Sequence, residues 1–73
     1  MGSVIERILA EAPSMGTFTT RQMAFRVYGE TANDAKIGMT GGKLRSLAKQ
    51  GYIVALGIIM ADGYHQAQWR SAL

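Results

Sequence analysis

The sequence contains no cysteine and only one histidine, His65. Without cysteine the chain forms neither disulfides nor thiolate metal sites, so its stability must come from a packed core. Ser46, Thr40 and Asp62 cannot form a catalytic triad with a single histidine on a distant strand. We therefore expect a protein that is not an enzyme and that requires no cofactor.

Long apolar runs are also missing. No segment approaches the roughly 20 residues that cross a bilayer, and the N-terminus lacks the basic-then-apolar layout of a signal peptide. We therefore expect a cytoplasmic protein with no membrane partner. The length of 73 residues predicts one small domain, residues 1–73, near the lower limit for a single hydrophobic core.

Carboxylates are few and unevenly placed. Five Asp and Glu oppose eight Lys and Arg, which gives a net charge of +3. No acidic residue occurs between positions 35 and 61, a stretch that contains Lys36, Lys43, Arg45 and Lys49. A local positive field of this kind favours a polyanionic partner.

The N-terminal part of the chain has the pattern of an amphipathic helix. Its apolar residues recur at helical spacing: Val4, Ile5, Ile8, Leu9 and Ala12. Ser3 is the expected N-cap, with Glu6 as its capping-box partner, and Pro13 is the expected end. This segment therefore predicts a first helix over residues 3–13.

A short extended piece and a second helix are predicted next. Phe18 is the expected inward-facing residue of the extended piece. Thr19 or Thr20 is the expected cap of a helix that ends at Gly29. On this helix Phe25 points away from the apolar face.

The third helix is harder to delimit, because three glycines lie between positions 38 and 42. Each glycine inside a helix costs roughly 1 kcal/mol relative to alanine. We therefore expect a loop up to about Met39 and a helix over residues 40–50, capped by Thr40. A start as early as Asp34 is the alternative, and Gly51 is the expected C-terminal stop.

Two strands joined by a tight turn are predicted at the end of the sequence. Asp62-Gly63 is a favoured pair for a two-residue hairpin turn. If Ala61 pairs with Tyr64, Leu56 lies opposite Trp69 and Ile58 lies opposite Ala67. The expected inner face then carries Val54, Leu56, Ile58, Ala67 and Trp69.

The order helix, strand, helix, helix, strand, strand resembles the winged helix-turn-helix DNA-binding domain. The pattern of Leu44, Leu47, Gly51, Tyr52 and Ile53 is similar to the end of its recognition helix. The hairpin that ends at residues 68–70 resembles the small winged helices of phage and prokaryotic regulators. The resemblance implies an α+β fold and a regulator of transcription, excision or replication that binds double-stranded DNA.

The resemblance also implies which residues contact nucleic acid: Arg21, Gln22, Lys36, Thr40, Gly41, Gly42, Lys43, Arg45, Ser46 and Lys49. Arg45 is the expected guanine reader, while Lys43 and Lys49 hold phosphates. Backbone N–H groups at Gly41 and Gly42 are expected to approach a phosphate. Arg21 and Gln22 are expected to contact the flanking DNA backbone.

The sequence departs from the pattern of this family in two places. The connection over residues 29–39 is longer than a tight helix-turn-helix turn, and the expected wing tip carries Asp62 in place of a basic residue. A winged helix that binds protein is therefore the alternative, with Phe25, Ile59 and Met60 as an apolar contact surface or homodimer interface. Single-stranded nucleic acid is the weakest candidate, because the third helix has no aromatic residue.

Overall fold

The computed structural model describes residues 3–61 and 63–72. Within these residues the elements are α1 (Val4–Met15), β1 (Thr17–Thr19), α2 (Thr20–Tyr28), a 3-10 turn (Gly29–Thr31), α3 (Asp34–Lys49), β2 (Ile53–Ala61) and β3 (Tyr64–Ser71). The strands form one antiparallel sheet in the order β1-β3-β2. The expected α+β class, with three α-helices and a C-terminal hairpin, is confirmed. The turn residue Asp62 lies outside the described residues.

Helix α1 begins at the predicted cap and ends later than predicted. The Ser3 hydroxyl oxygen accepts a hydrogen bond from the Glu6 backbone N–H at 3.1 Å. The prediction that Pro13 ends this helix is wrong, because α1 continues to Met15 and the chain turns away at Gly16, where φ is 67°. Pro13 removes one N–H donor in the last turn of α1 but does not end the helix.

Helix α2 has both of its predicted boundaries. Thr19 Oγ1 accepts from the Gln22 backbone N–H at 3.1 Å, and Gln22 Oε1 accepts from the Thr19 N–H at 2.9 Å, which is a complete capping box. Gly29, with φ 59°, ends the helix. Phe18, on the strand before the cap, is 1% exposed, so the expected inward residue is confirmed.

Helix α3 begins at Asp34, so the prediction of a loop up to Met39 is wrong and the earlier alternative start is correct. Asn33 is the N-cap, and its Oδ1 accepts from the Lys36 backbone N–H at 2.9 Å. The connection between α2 and α3 is therefore only residues 29–33. The helix packs its buried side into the fold in spite of the glycines, and Gly41 is the only one of the three that is itself buried.

The end of α3 confirms Gly51 as the stop. Its φ is 87°, a conformation that glycine adopts without steric cost. The Gly51 N–H donates to Ala48 O at 3.1 Å, and the Tyr52 N–H donates to Leu47 O at 3.0 Å. This pair of bonds is the Schellman motif, and it directs the chain from α3 into β2.

The hairpin has the predicted turn register but contains a bulge. Ala61 pairs with Tyr64 and Ile58 pairs with Ala67, as predicted, but Ala55 pairs with Trp69. The expected pairing of Leu56 with Trp69 is wrong, because the register shifts between Ala55 and Gly57 and leaves Leu56 as an extra residue.

The bulge also corrects the predicted inner face of the hairpin. Leu56 is 41% exposed and Ile58 is 67% exposed, so neither belongs to the core. Gly57 has φ 111° at the bulge. Gln66, expected outside, is buried, and its Nε2 donates to Ala61 O at 2.8 Å.

The core lies where the helices pack on the sheet, and it draws on every helix and strand. Its buried members are Ile8, Ala12, Phe18, Met23, Leu44, Leu47, Ile53 and Trp69. Trp69 is 4% exposed, as the sequence predicts. No helix among residues 3–61 and 63–72 has the length and apolar character needed to cross a membrane.

Candidate nucleic-acid interface

The solvent-facing side of α3 carries several residues that the sequence assigns to binding. Gly42, Arg45, Ser46 and Lys49 are exposed, and Lys43 and Lys36 are half-buried. At about 100° per residue, Arg45 and Lys49 lie on one flank of the exposed face, and Lys36 and Lys43 lie on the other. Small or uncharged residues lie between the two flanks: Ala35, Met39, Gly42 and Ser46.

Thr40 and Gly41 are placed differently from the prediction. Thr40 is fully buried, and its hydroxyl donates to Lys36 O at 2.8 Å. Gly41 is buried against Thr20. Because α3 begins at Asp34, residues 40–42 lie inside the helix, where N–H groups bond to carbonyls four residues earlier. The expected contact of Thr40 with nucleic acid is therefore wrong, and so is the expected approach of the Gly41 and Gly42 N–H groups to a phosphate.

Met39 is a surface residue that the sequence reasoning missed. It is 54% exposed and lies between the two basic flanks of α3. The neighbouring glycines predict a loop at this position. A helix that starts at Asp34 would have identified it through its spacing from Gly42 and Ser46.

The ion pairs leave the basic residues of α3 without carboxylate partners. In the described part of the chain, Glu11 pairs with Arg7 at 3.1 Å and with Arg26 at 3.8 Å. Both pairs lie on α1 and α2, and no carboxylate of the described residues lies within 4.0 Å of a cation on α3. The basic residues of α3 are therefore not paired with a carboxylate in this part of the chain, and the only acidic residue of the helix is Asp34 in its first turn.

One of the cations on α3 lies against an aromatic ring. The Lys36 ammonium lies 5.0 Å from the ring centre of Tyr28, at the end of α2. A cation at this distance from a ring face is attracted by its π electrons. This contact holds Lys36 beside residues 29–33, which connect α2 to α3.

Arg21 lies close to two aromatic rings. Its guanidinium carbon is 5.3 Å from the ring centre of Phe25 and 5.6 Å from that of Tyr64. Phe25 is 45% exposed and Tyr64 is 61% exposed, so the arginine is held at the surface. The spacing of Arg21 and Phe25 along a helix could have predicted the first contact, whereas the contact with Tyr64 depends on the tertiary fold.

Gln22 has a structural role beside any binding role. Its Oε1 is used in the capping box with Thr19, while the residue as a whole is exposed. Its amide N–H groups make no hydrogen bond within the described residues. Gln22 can therefore donate a hydrogen bond outward without uncapping α2.

Two grooves flank Arg45 where α3 meets the hairpin. The first, of about 470 Å³, contains Arg21, Arg45, Tyr64 and His65. The second, of about 590 Å³, extends from Arg45 and Lys49 to Ile58 on β2. Arg45 lines both grooves, so it lies at the border between them.

Among residues 3–61 and 63–72 no group of three or more His, Asp or Glu side chains could hold a metal ion. The groups that α3 and α2 offer are cations and hydrogen-bond donors, which suit anionic oxygen acceptors.

No protein-family model matches the sequence, and no match is found among the curated proteins or the solved structures.

Proposed function

We propose that the protein is a winged helix that binds duplex DNA through α3, as a regulator of transcription or of mobile-element excision or replication. The observation that carries the proposal is the row of cations on α3 with no carboxylate partner in the described part of the chain. The order of elements, the β1-β3-β2 sheet and the short connection of residues 29–33 support it.

The dimensions of α3 suit the major groove. An α-helix with its side chains is about 10–12 Å across, and the major groove of B-DNA is about 12 Å wide. Gly42 and Ser46 on the outermost line of the helix keep its backbone close to the floor of the groove. The flanking cations are then in position for the phosphates on the two sides of the groove, with Lys36 and Lys43 toward one side and Lys49 toward the other.

Arg45 is the residue proposed to read a base. A guanidinium donates two parallel hydrogen bonds to O6 and N7 of guanine, which a lysine cannot match in geometry. Its side chain has no ion pair or hydrogen bond within the described residues. Arg45 therefore breaks no internal bond when it turns toward a base.

Arg21 and Gln22 are proposed to hold the DNA backbone beside the groove. The first turn of α2 carries both residues, and the aromatic contacts of Arg21 restrict its side chain before any ligand binds. A restricted side chain loses less conformational entropy on binding than a free one. Phe25 and Tyr64 would then contribute to affinity without touching DNA.

A protein-binding winged helix is the second candidate function, favoured by the exposed apolar side chains. Phe25 is 45% exposed and Met60 is 63% exposed, whereas Ile59, the third residue expected in that surface, is half-buried. Such a module would show little affinity for duplex DNA. The two candidates therefore differ in a direct binding measurement.

The experiment is a titration of the ¹⁵N-labelled protein with a mixed-sequence duplex at about 50 mM and about 200 mM salt, a range over which phosphate contacts weaken steeply. We expect amide shifts in α3 and the first turn of α2 that diminish at the higher salt. An absence of binding at the lower salt, or shifts centred on Phe25 and Met60 alone, would contradict the proposal.

A further inference from the structure

Strand β2 has a free edge. The sheet order β1-β3-β2 leaves β2 paired on one side only, with β3. β2 spans nine residues, whereas β1, the other edge strand, spans three. A long unpaired edge presents a row of backbone N–H and C=O groups that can pair with another strand.

The composition of β2 gives this edge little protection against pairing. Ile53–Ala61 contains no charged residue and no proline, the residue types that commonly prevent edge-to-edge association. The bulge at Leu56 interrupts the first half of the strand. The remaining run, residues 57–61, has an uninterrupted register against β3.

The exposed side chains on β2 are large and apolar. Ile58 is 67% exposed, Met60 is 63% exposed and Leu56 is 41% exposed. Ile58 and Met60 lie two residues apart and so share one face of the strand. Ile58 also lines the groove of about 590 Å³ against α3. Exposed apolar groups grouped in this way mark an interaction surface.

We propose that β2 pairs antiparallel with β2 of a second copy of this chain, to form a dimer with two-fold symmetry. A two-fold axis that relates two identical edge strands makes them run antiparallel and closes the assembly, because the same edge of each copy is used. With the axis at Ile59, Ile58 lies opposite the partner's Met60. Because β2 carries no charge, two copies of it can pair without electrostatic repulsion. A charged partner strand would gain no favourable charge interaction with β2.

The short length of β1, the other edge strand, limits the assembly to two copies. The joined sheet would have the order β1-β3-β2-β2-β3-β1, with β1 at both outer edges. Because β1 has only three residues, it offers few backbone groups to a third copy. The proposal therefore predicts a closed dimer, and it does not depend on DNA binding.

Sedimentation equilibrium of the protein without DNA tests this proposal over about 10 µM to 1 mM, the range of a weak to moderate dimer. The variant is Ile58→Lys and its matched control is Ala10→Lys, which adds the same charge at an exposed position of α1. We expect the wild type and Ala10→Lys to dimerise and Ile58→Lys to dimerise at least about tenfold more weakly. Met60→Lys provides a second variant if circular dichroism shows that Ile58→Lys is unfolded.

Hydrogen exchange locates the contact in the same samples. We expect the amides of residues 57–61 to become slower to exchange as the wild-type concentration rises, while those of β1 do not change. The proposal would be overturned if the protein were a monomer throughout this range or grew beyond two copies. It would also be overturned if Ile58→Lys and Met60→Lys left the dimer unchanged, or if Phe25→Lys broke it instead.

Discussion

The indole Nε1 of Trp69 donates a hydrogen bond of 2.9 Å to Oγ1 of Thr20, the first residue of α2. This bond joins the central strand of the sheet to the helix that precedes the proposed recognition helix. The methyl group of the same threonine lies at the contact with Gly41 of α3. A single side chain therefore links β3, α2 and α3.

Loss of this acceptor should destabilise the fold. Thr20→Val keeps the shape of the side chain but leaves the indole N–H of a residue that is 4% exposed without a partner, at a cost of about 1–3 kcal/mol. Urea unfolding followed by tryptophan fluorescence measures the change. Thr20→Ser keeps the hydroxyl and loses the methyl group at Gly41, so it separates the contribution of the hydrogen bond from that of the packing. Equal stability of the wild type and Thr20→Val would show that the bond contributes nothing.

The start of α3 at Asp34 can be tested at its cap. Asn33→Ala removes the side chain that accepts from the Lys36 N–H, and we expect a loss of about 0.5–2 kcal/mol in the free energy of unfolding. Asn33→Asp should retain most of the stability, because a carboxylate also accepts this bond. If Asn33→Ala were neutral, the helix would begin further along the chain.

Two glycines should respond to alanine in opposite directions. Gly38 lies inside α3, and no atom lies within 4 Å of a Cβ added there, so Gly38→Ala should stabilise the protein by about 1 kcal/mol. Gly51 has φ 87°, so Gly51→Ala should destabilise it by about 1–2 kcal/mol. Thermal unfolding measures both changes. A gain in stability for Gly51→Ala would contradict the assigned stop.

The proposed DNA contacts should differ in their dependence on salt and sequence. With four to six phosphate contacts per domain, the slope of log affinity against log salt should be roughly −3.6 to −5.4. Lys49→Ala should flatten this slope by about one unit on every sequence, whereas Arg45→Ala should cost about 1–3 kcal/mol mainly on the preferred site. Fluorescence anisotropy with labelled duplexes measures both effects.

Arg26→Ala is the control for these two variants, because it also removes one positive charge but lies on α2 in an ion pair with Glu11. Its effect on affinity should be small. If Arg26→Ala and Lys49→Ala weakened binding equally, net charge rather than the surface of α3 would explain the affinity. If Arg45→Ala and Lys49→Ala both left binding unchanged, the DNA proposal would fail.

The aromatic contacts of Arg21 should contribute to DNA affinity indirectly. Tyr64→Leu removes one ring from the guanidinium, and we expect binding to weaken by about 0.5–1 kcal/mol, or two- to fivefold. Tyr64→Phe keeps the ring and should bind like the wild type. The same duplex titration measures both variants. A full loss of affinity in Tyr64→Phe would mean that the hydroxyl contacts the ligand itself.

Features set by neighbouring residues could be predicted from the sequence. The cap at Thr19 and the stops at Gly29 and Gly51 depend on side chains and backbone conformations within a few positions, and all three are confirmed. The start of α3 differs from the prediction because the cost of its glycines is local, whereas the burial of Thr40, Gly41, Leu44 and Leu47 depends on the rest of the fold.

The sequence pattern is not sufficient to predict the bulge in β2 or the contact of Arg21 with Tyr64. A prediction from alternating inward and outward side chains assumes that each residue of β2 pairs with one residue of β3. The extra residue Leu56 breaks this pairing, so the predicted inner face of β2 is wrong. Tyr64 and Arg21 are 43 positions apart in the sequence, and only the fold brings them together. The basic face of α3 can be predicted as a charge pattern, but a helix that starts at Thr40 wrongly includes Thr40 and Gly41 in that face.

The middle strand of the sheet is also the last to be synthesised. β1 pairs with β3 through Phe18 and Trp69, and β2 pairs with the other side of β3. While a ribosome is translating this chain, the three helices and both edge strands emerge before the strand that joins them. The nascent chain therefore leaves Phe18 and Ile53 without their sheet neighbours until residues 64–71 have left the exit tunnel. Folding is expected to follow release of this segment, and chaperones would meet the apolar strand β2 before β3 covers one of its edges.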